Sequence, residues 1–145
     1  MKNKQSISSH KTGLLQGIAY SRLHANLTKI LAAYNLSIPE WKLLGQLYDH
    51  GNVRLTQLSD LLSYDPPLVT KLTKQLEKKG LLRREYDQFD ERAKVIILTT
   101  SAVKLLSQVD PVVKLKLGEI LQGITQAELR TYIKVLEAIV RNTVA

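Results

Sequence analysis

Residues 65–80 are bracketed by two strong breakers of regular structure, with Asp65-Pro66-Pro67 at one end and Gly80 at the other. Proline holds φ at about −65° and has no N–H, so it suits the first turn of a helix, where that N–H would lack a partner anyway. Glycine adopts the left-handed conformation that ends a helix at no steric cost. Between these stops Val69, Leu72 and Leu76 recur at helical spacing. The pattern predicts a short helix with Asp65 as N-cap and one apolar face. The opposite face then carries Pro67, Thr70, Lys71, Lys74, Gln75 and Lys78.

What flanks this helix narrows the fold further. Leu81 to Tyr86 and Lys94 to Leu98 are β-prone segments joined by the polar stretch Asp87 to Ala93, which reads as a hairpin. Upstream, Gly51-Asn52 ends a helix and Val53 to Leu55 suits a short edge strand. Thr56 can then cap a brief helix holding Leu58, Leu61 and Leu62. With Ser63-Tyr64 as the turn, the order is helix, turn, helix, hairpin, which is that of a winged helix-turn-helix.

Longer helices lie on both sides. Leu14, Leu15, Ile18, Leu23, Leu27, Ile30, Leu31 and Tyr34 mark an amphipathic helix from about Lys11 to Tyr34. Ser37-Ile-Pro-Glu40 is a capping box starting a second near Ile38, with Trp41, Leu44 and Leu47 inward. After Thr100, Val103, Leu106, Val109, Val113, Leu117 and Ile120 continue a helical pattern to about Gly123. Pro111 within it predicts a kink or break. Thr125-Gln-Ala-Glu128 caps a last helix through Val140. The expected fold is mainly α with a small β-hairpin wing. A single domain spans 1–145, with a winged lobe at 36–99 and a helical dimerisation region at 11–35 and 100–143.

A chain of 145 residues has the length of about one domain. Cysteine is absent, which removes disulfides and thiol-based sensing. Met1 to Thr12 lacks the apolar core of a signal peptide, and no run approaches the roughly 18 apolar residues of a membrane span, so a cytoplasmic protein with no membrane partner is expected. Three scattered histidines, His10, His24 and His50, make no metal-binding cluster. No Gly-rich phosphate loop or nucleophile with an evident base is present, so neither an enzyme nor a cofactor is expected. The net charge of +8 favours a polyanionic partner. Yet residues 51–98 hold nine Lys and Arg against seven Asp and Glu, a net of +2, so placement must matter more than bulk charge.

Inside this order the residues resemble the MarR family of multiple antibiotic resistance regulators, from about Leu14 to Val140. Leu36-Ser-Ile-Pro-Glu-Trp-Lys-Leu-Leu44 looks like the start of its second helix. Leu58-Ser-Asp-Leu-Leu62, Val69-Thr-Lys-Leu72 and Leu76-Glu-Lys-Lys-Gly-Leu-Leu-Arg-Arg84 look like its reading head. Asp90-Glu-Arg92 through Ile97-Leu-Thr99 looks like its wing. Gln88-Phe89 departs from the usual proline-containing wing start, and Glu91 stands where a second arginine is common.

The resemblance implies a homodimer of transcription regulators on a pseudo-palindromic operator, repression being the commoner outcome. On the predicted helix, Thr70, Lys71 and Gln75 are assigned to bases and Lys74 and Lys78 to phosphates, while Pro66 and Pro67 allow close approach. In the wing, the family pattern has Asp90 orient Arg92 into a minor groove, with Arg84 and Lys94 nearby for phosphates. Excess apolar surface on the first and last two helices agrees with pairing between copies. The resemblance also implies a pocket for a small aromatic or anionic effector, for which His24 and Trp41 are candidates, although a lone Trp on a helix face is more often core. The competing reading is a winged-helix module that docks an acidic protein.

Overall fold

The computed structural model describes residues 8–144. In chain order they form α1 (Ser9–Ala32), α2 (Ile38–His50), β1 (Val53–Arg54), α3 (Leu55–Leu62), α4 (Pro66–Lys78), β2 (Leu82–Tyr86), β3 (Lys94–Leu98), α5 (Thr100–Ile120) and α6 (Gln126–Asn142). Two compact units result, Met1–Val113 and Lys114–Ala145.

In the first unit, three helices end in the same way for the same reason. Asn35, Ser63 and Gly80 take left-handed φ values of 57°, 53° and 74° after α1, α3 and α4. Each lets the next residue bond back across the turn: Leu36 N–H to Leu31 O (3.1 Å), Tyr64 N–H to Ser59 O (3.2 Å) and Leu81 N–H to Leu76 O (3.0 Å). Leu36 and Leu81 are buried, so the stops of α1 and α4 are fastened by an apolar side chain as well as a hydrogen bond.

α2 opens on the expected box: Ser37 Oγ accepts the Glu40 N–H (3.2 Å) and Glu40 Oε1 accepts the Ser37 N–H (2.9 Å). α3 starts one residue before the expected Thr56 cap. Leu55 belongs to the helix rather than to the strand, Arg54 is the cap residue, and Gln57 Oε1 reaches back to accept the Arg54 N–H (2.9 Å).

The hairpin is part of a three-stranded antiparallel sheet of order β1-β3-β2. Val53 pairs with Ile96, and Leu82, Arg84 and Tyr86 pair with Leu98, Ile96 and Lys94. Leu82 and Ile96 are buried on the inner side, with Leu43, Leu44, Leu47, Leu58, Val69 and Leu76 in the same core. Thr99 ties the hairpin exit to two helices. Its N–H donates to Leu81 O (3.2 Å), its hydroxyl donates to Gly80 O (2.8 Å), and that hydroxyl accepts the Ala102 N–H of α5 (3.2 Å).

Pro111 does not break α5, which runs from Thr100 to Ile120 as one helix. A single proline removes only one intrahelical donor, and here flanking Val109 and Val113 are buried. In the second unit, Thr125 and Glu128 form the second capping box (3.1 and 3.0 Å). The Thr125 N–H is the main reason the Glu128 carboxyl lies below its ordinary pKa. No described residue of α6 is buried, and Tyr132, Ile133, Leu136, Ile139 and Val140 form an exposed apolar stripe.

No helix among the described residues is long and apolar enough to cross a membrane.

Candidate nucleic-acid interface

Burying Val69, Leu72, Thr73 and Leu76 leaves α4 one open face. Pro66, Pro67, Lys71, Lys74, Gln75 and Lys78 are exposed, and Thr70 is half-buried. The Thr73 hydroxyl donates to Thr70 O (2.8 Å), which satisfies it inside the helix. Asp65 occupies the N-cap position but makes no side-chain cap bond. Pro66 and Pro67 have no N–H to offer it and the Leu68 N–H is not bonded to it, so the fixed proline φ, more than capping, sets the helix start.

The far end of α4 is tied down twice. Glu77 accepts from Arg84 of β2 through both oxygens, at 3.3 Å from Nε and 2.9 Å from Nη2. Lys79 Nζ donates to Asn35 O (2.6 Å) and to Glu40 Oε1 (3.0 Å), and lies 3.0 Å from Glu40 Oε2 without hydrogen-bond geometry to it. Glu40 is only 4% exposed. Its carboxylate, fixed by the Ser37 box, thus joins the start of α2 to the end of α4.

The wing tip consists of two side-chain-stabilised turns. Asp87 Oδ1 accepts the Phe89 N–H (2.7 Å), and Asp90 Oδ1 accepts the Arg92 N–H (3.0 Å). The backbone closes around them through Asp87 N–H to Ala93 O (2.9 Å) and Ala93 N–H to Asp90 O (3.0 Å). Arg54 anchors the base, with Nε and Nη2 each 3.0 Å from Asp87 Oδ2. The Phe89 N–H first, and then Arg54, hold the Asp87 carboxyl below its ordinary pKa. Lys94 Nζ stands 5.5 Å from the centre of the Tyr86 ring.

The residues singled out on α4 and at the wing tip are exposed, apart from half-buried Thr70 and Arg84, and three of the candidates are placed differently from expectation. Asp90 holds the backbone of Arg92 and not its guanidinium, because the carboxylate is used within its own turn. Arg84 is engaged with Glu77, so its charge is already matched inside the protein. His24 is exposed on α1 with its ring centre 5.5 Å from that of Tyr20, apart from Trp41.

Trp41 does line a cavity, of about 850 Å³, walled by α2, α3 and α5. Tyr48, Leu61, Leu62, Val103, Leu106 and Pro111 supply its apolar surface; Lys42, Gln46, Asp49, Ser107 and Asp110 supply polar groups. The pairings of Arg54 with Asp87 and of Lys79 with Glu40 had no local sequence signal.

Comparison with known proteins gives the same outline. The model of the MarR family matches residues 36–94. Among solved structures, a cysteine-to-serine mutant of MarR from E. coli complexed with operator DNA is 22% identical with a TM-score of 0.79, covering 88% of this chain and 91% of its own. A MarR-family transcriptional regulator from Rhodococcus sp. RHA1 is 20% identical with a TM-score of 0.82, covering 97% and 99%. BpsR of Bordetella bronchiseptica, whose DNA binding is regulated by 6-hydroxynicotinic acid, is 22% identical with a TM-score of 0.81, covering 92% and 96%. At these identities the structural likeness is one of fold.

Proposed function

We infer, from a MarR-family segment at residues 36–94 set in the fold of MarR-family transcription regulators, that this chain binds duplex DNA sequence-specifically as a homodimer and represses transcription there. The observation that carries the reading is the open basic face of α4, held outward by Val69, Leu72 and Leu76. A major groove about 12 Å wide admits such a helix. Lys71, Thr70 and Gln75 then meet base edges, and Lys74 and Lys78 meet phosphates. Pro66 and Pro67 present no bulky side chain and allow the helix start to come close. Arg92, exposed and in no ion pair among the described residues, suits an A·T-rich minor groove, with Lys94 beside it for a phosphate. Arg84 works indirectly in this reading, by fixing α4 through Glu77.

Pairing of two chains is supported by the apolar faces left open on α1 and α6. Leu14, Leu15 and Ile18 on one, and Ile133, Leu136 and Ile139 on the other, are exposed. Full burial of each such side chain contributes about 1.5–3 kcal/mol. A two-fold dimer would place two α4 helices in successive major grooves of a pseudo-palindrome, with half-sites about 10 base pairs apart.

The cavity beside Trp41 suits a small effector with an aromatic body, and Lys42 gives it one cation for an anionic group. 6-Hydroxynicotinic acid, the regulator of BpsR, has that chemistry and is the first ligand to try. Because the chain has one tryptophan, Trp41 fluorescence reports directly on this cavity.

Anisotropy titration against DNA from upstream of the protein's own coding region tests the whole. Binding should be roughly nanomolar at physiological salt and far weaker to a scrambled duplex. Equal affinity for both duplexes sinks the reading. Binding to an acidic protein, with no salt-dependent binding to duplex DNA, would favour the docking-module alternative.

A further inference from the structure

The wing tip carries an aromatic ring with almost nothing beneath it. Phe89 is 90% exposed, more than any other large apolar side chain among the described residues. Its backbone is nevertheless held in place. The Phe89 N–H donates to Asp87 Oδ1 (2.7 Å), Asp87 Oδ2 accepts from Arg54 (3.0 Å), and the Asp87 N–H closes the hairpin on Ala93 O (2.9 Å). A ring left in water forgoes the gain that burial would bring, and one on a fixed backbone is already placed for a partner to cover it.

The surroundings define that cover. Arg92 and Lys94 are exposed on the same hairpin, and Tyr86 places its ring beneath the Lys94 ammonium. Of the tip carboxylates, Asp90 accepts the Arg92 N–H and Asp87 is paired with Arg54, while Asp90 and Glu91 are both exposed. An apolar group on a hairpin that also presents the exposed cations Arg92 and Lys94 fits a partner with anionic edges and apolar surface between them. The minor groove of duplex DNA offers both, in its phosphates and in the base faces that open when a step unstacks.

We propose that Phe89 is a wedge that enters the minor groove beside Arg92, partly unstacks one base step and kinks the duplex under the wing. This rests on the DNA-binding reading above and adds to it a residue that reads sequence without hydrogen bonds. Side-chain wedges of this kind cost unstacking and repay it by bending DNA onto more protein surface. The cost is least at pyrimidine–purine steps, so the wedge selects TA or CA/TG at a position no polar side chain touches.

The test begins with duplexes selected from a random-sequence library by the wild-type chain. 2-Aminopurine placed at each step under the wing reports unstacking, and circular-permutation electrophoresis reports bending. Phe89→Ala should keep the wild-type melting midpoint, bind the selected duplex about tenfold more weakly and lose both the fluorescence rise and the bend. Phe89→Leu, still apolar, should keep part of the bend. The selected sites should carry TA or CA/TG under each wing. Wild-type affinity and bend in Phe89→Ala overturn the wedge while leaving DNA binding intact. If the wild-type chain enriches no duplex at all, the DNA-binding reading has failed and the wedge falls with it.

Discussion

α4 and the wing are neighbours held by opposite means. α4 is positioned by apolar burial of Val69, Leu72 and Leu76, and its C-terminal end is fastened through Glu77 and Lys79. The wing tip has no buried side chain between Gln88 and Arg92, and keeps its shape through Asp87, Asp90 and two backbone closures. Packing fixes orientation through many small contacts, so α4 should hold its face under most surface changes. A few polar contacts fix a shape that one substitution or one proton can release. The contrast teaches that α4 errors should show first in stability and wing errors first in DNA binding.

Leu76→Ala attacks α4 where it is strongest. It should cost about 2–5 kcal/mol of folding stability in chemical denaturation, since it empties a fully buried site. A cost under about 1 kcal/mol would mean that packing is not what holds the helix.

Lys79→Met leaves Glu40 buried without its cation. Lys79 is itself 27% exposed, so water moderates the penalty to about 1–3 kcal/mol, again read by denaturation. The companion Glu40→Gln keeps the Ser37 box and should cost less.

At the wing the expectation reverses. Arg92→Ala should leave the melting midpoint unchanged and weaken specific DNA binding by about 1–3 kcal/mol. Lys78→Ala should instead lower affinity evenly across sequences and flatten the salt slope by about one unit. An Arg92→Ala complex indistinguishable from wild type would remove the wing from the interface.

The smallest effect is a pH effect. The Asp87 carboxyl titrates below its ordinary value in the folded chain, so its stabilising contribution is complete above the unfolded pKa of about 3.9 and is lost as pH falls through the folded one. Protection of the Phe89 amide, corrected for the intrinsic exchange rate, should therefore be constant near neutrality and fall only in acid. Asp87→Asn should show lower protection near neutrality, the difference from wild type closing in acid.

Much of this was legible in the sequence because the deciding patterns are local. Pro66, Pro67 and Gly80 bounded α4 nearly to the residue, and the β-branched run Val95-Ile96-Ile97 fixed the second wing strand. The two capping boxes formed as their spacing implied. What stayed hidden depends on chain segments meeting in space. Arg54 and Asp87 are 33 residues apart and Lys79 and Glu40 are 39, so no window along the chain contains either pair. Thr56 lost the cap position because β1 stops at Arg54 and hands over directly to α3. Asp90 and Arg92 showed that a right spacing leaves open which atoms meet.

Thr99 has a consequence of another kind. One hydroxyl donates to the end of α4 and accepts from the start of α5, with the hairpin leaving through the same residue. Three elements thus share a single rotor, whose torsion cannot drift without breaking a bond in one helix or the other. Serine could take the position with both bonds kept, whereas valine, though close in shape, would uncouple the end of α4 from the start of α5 in one step.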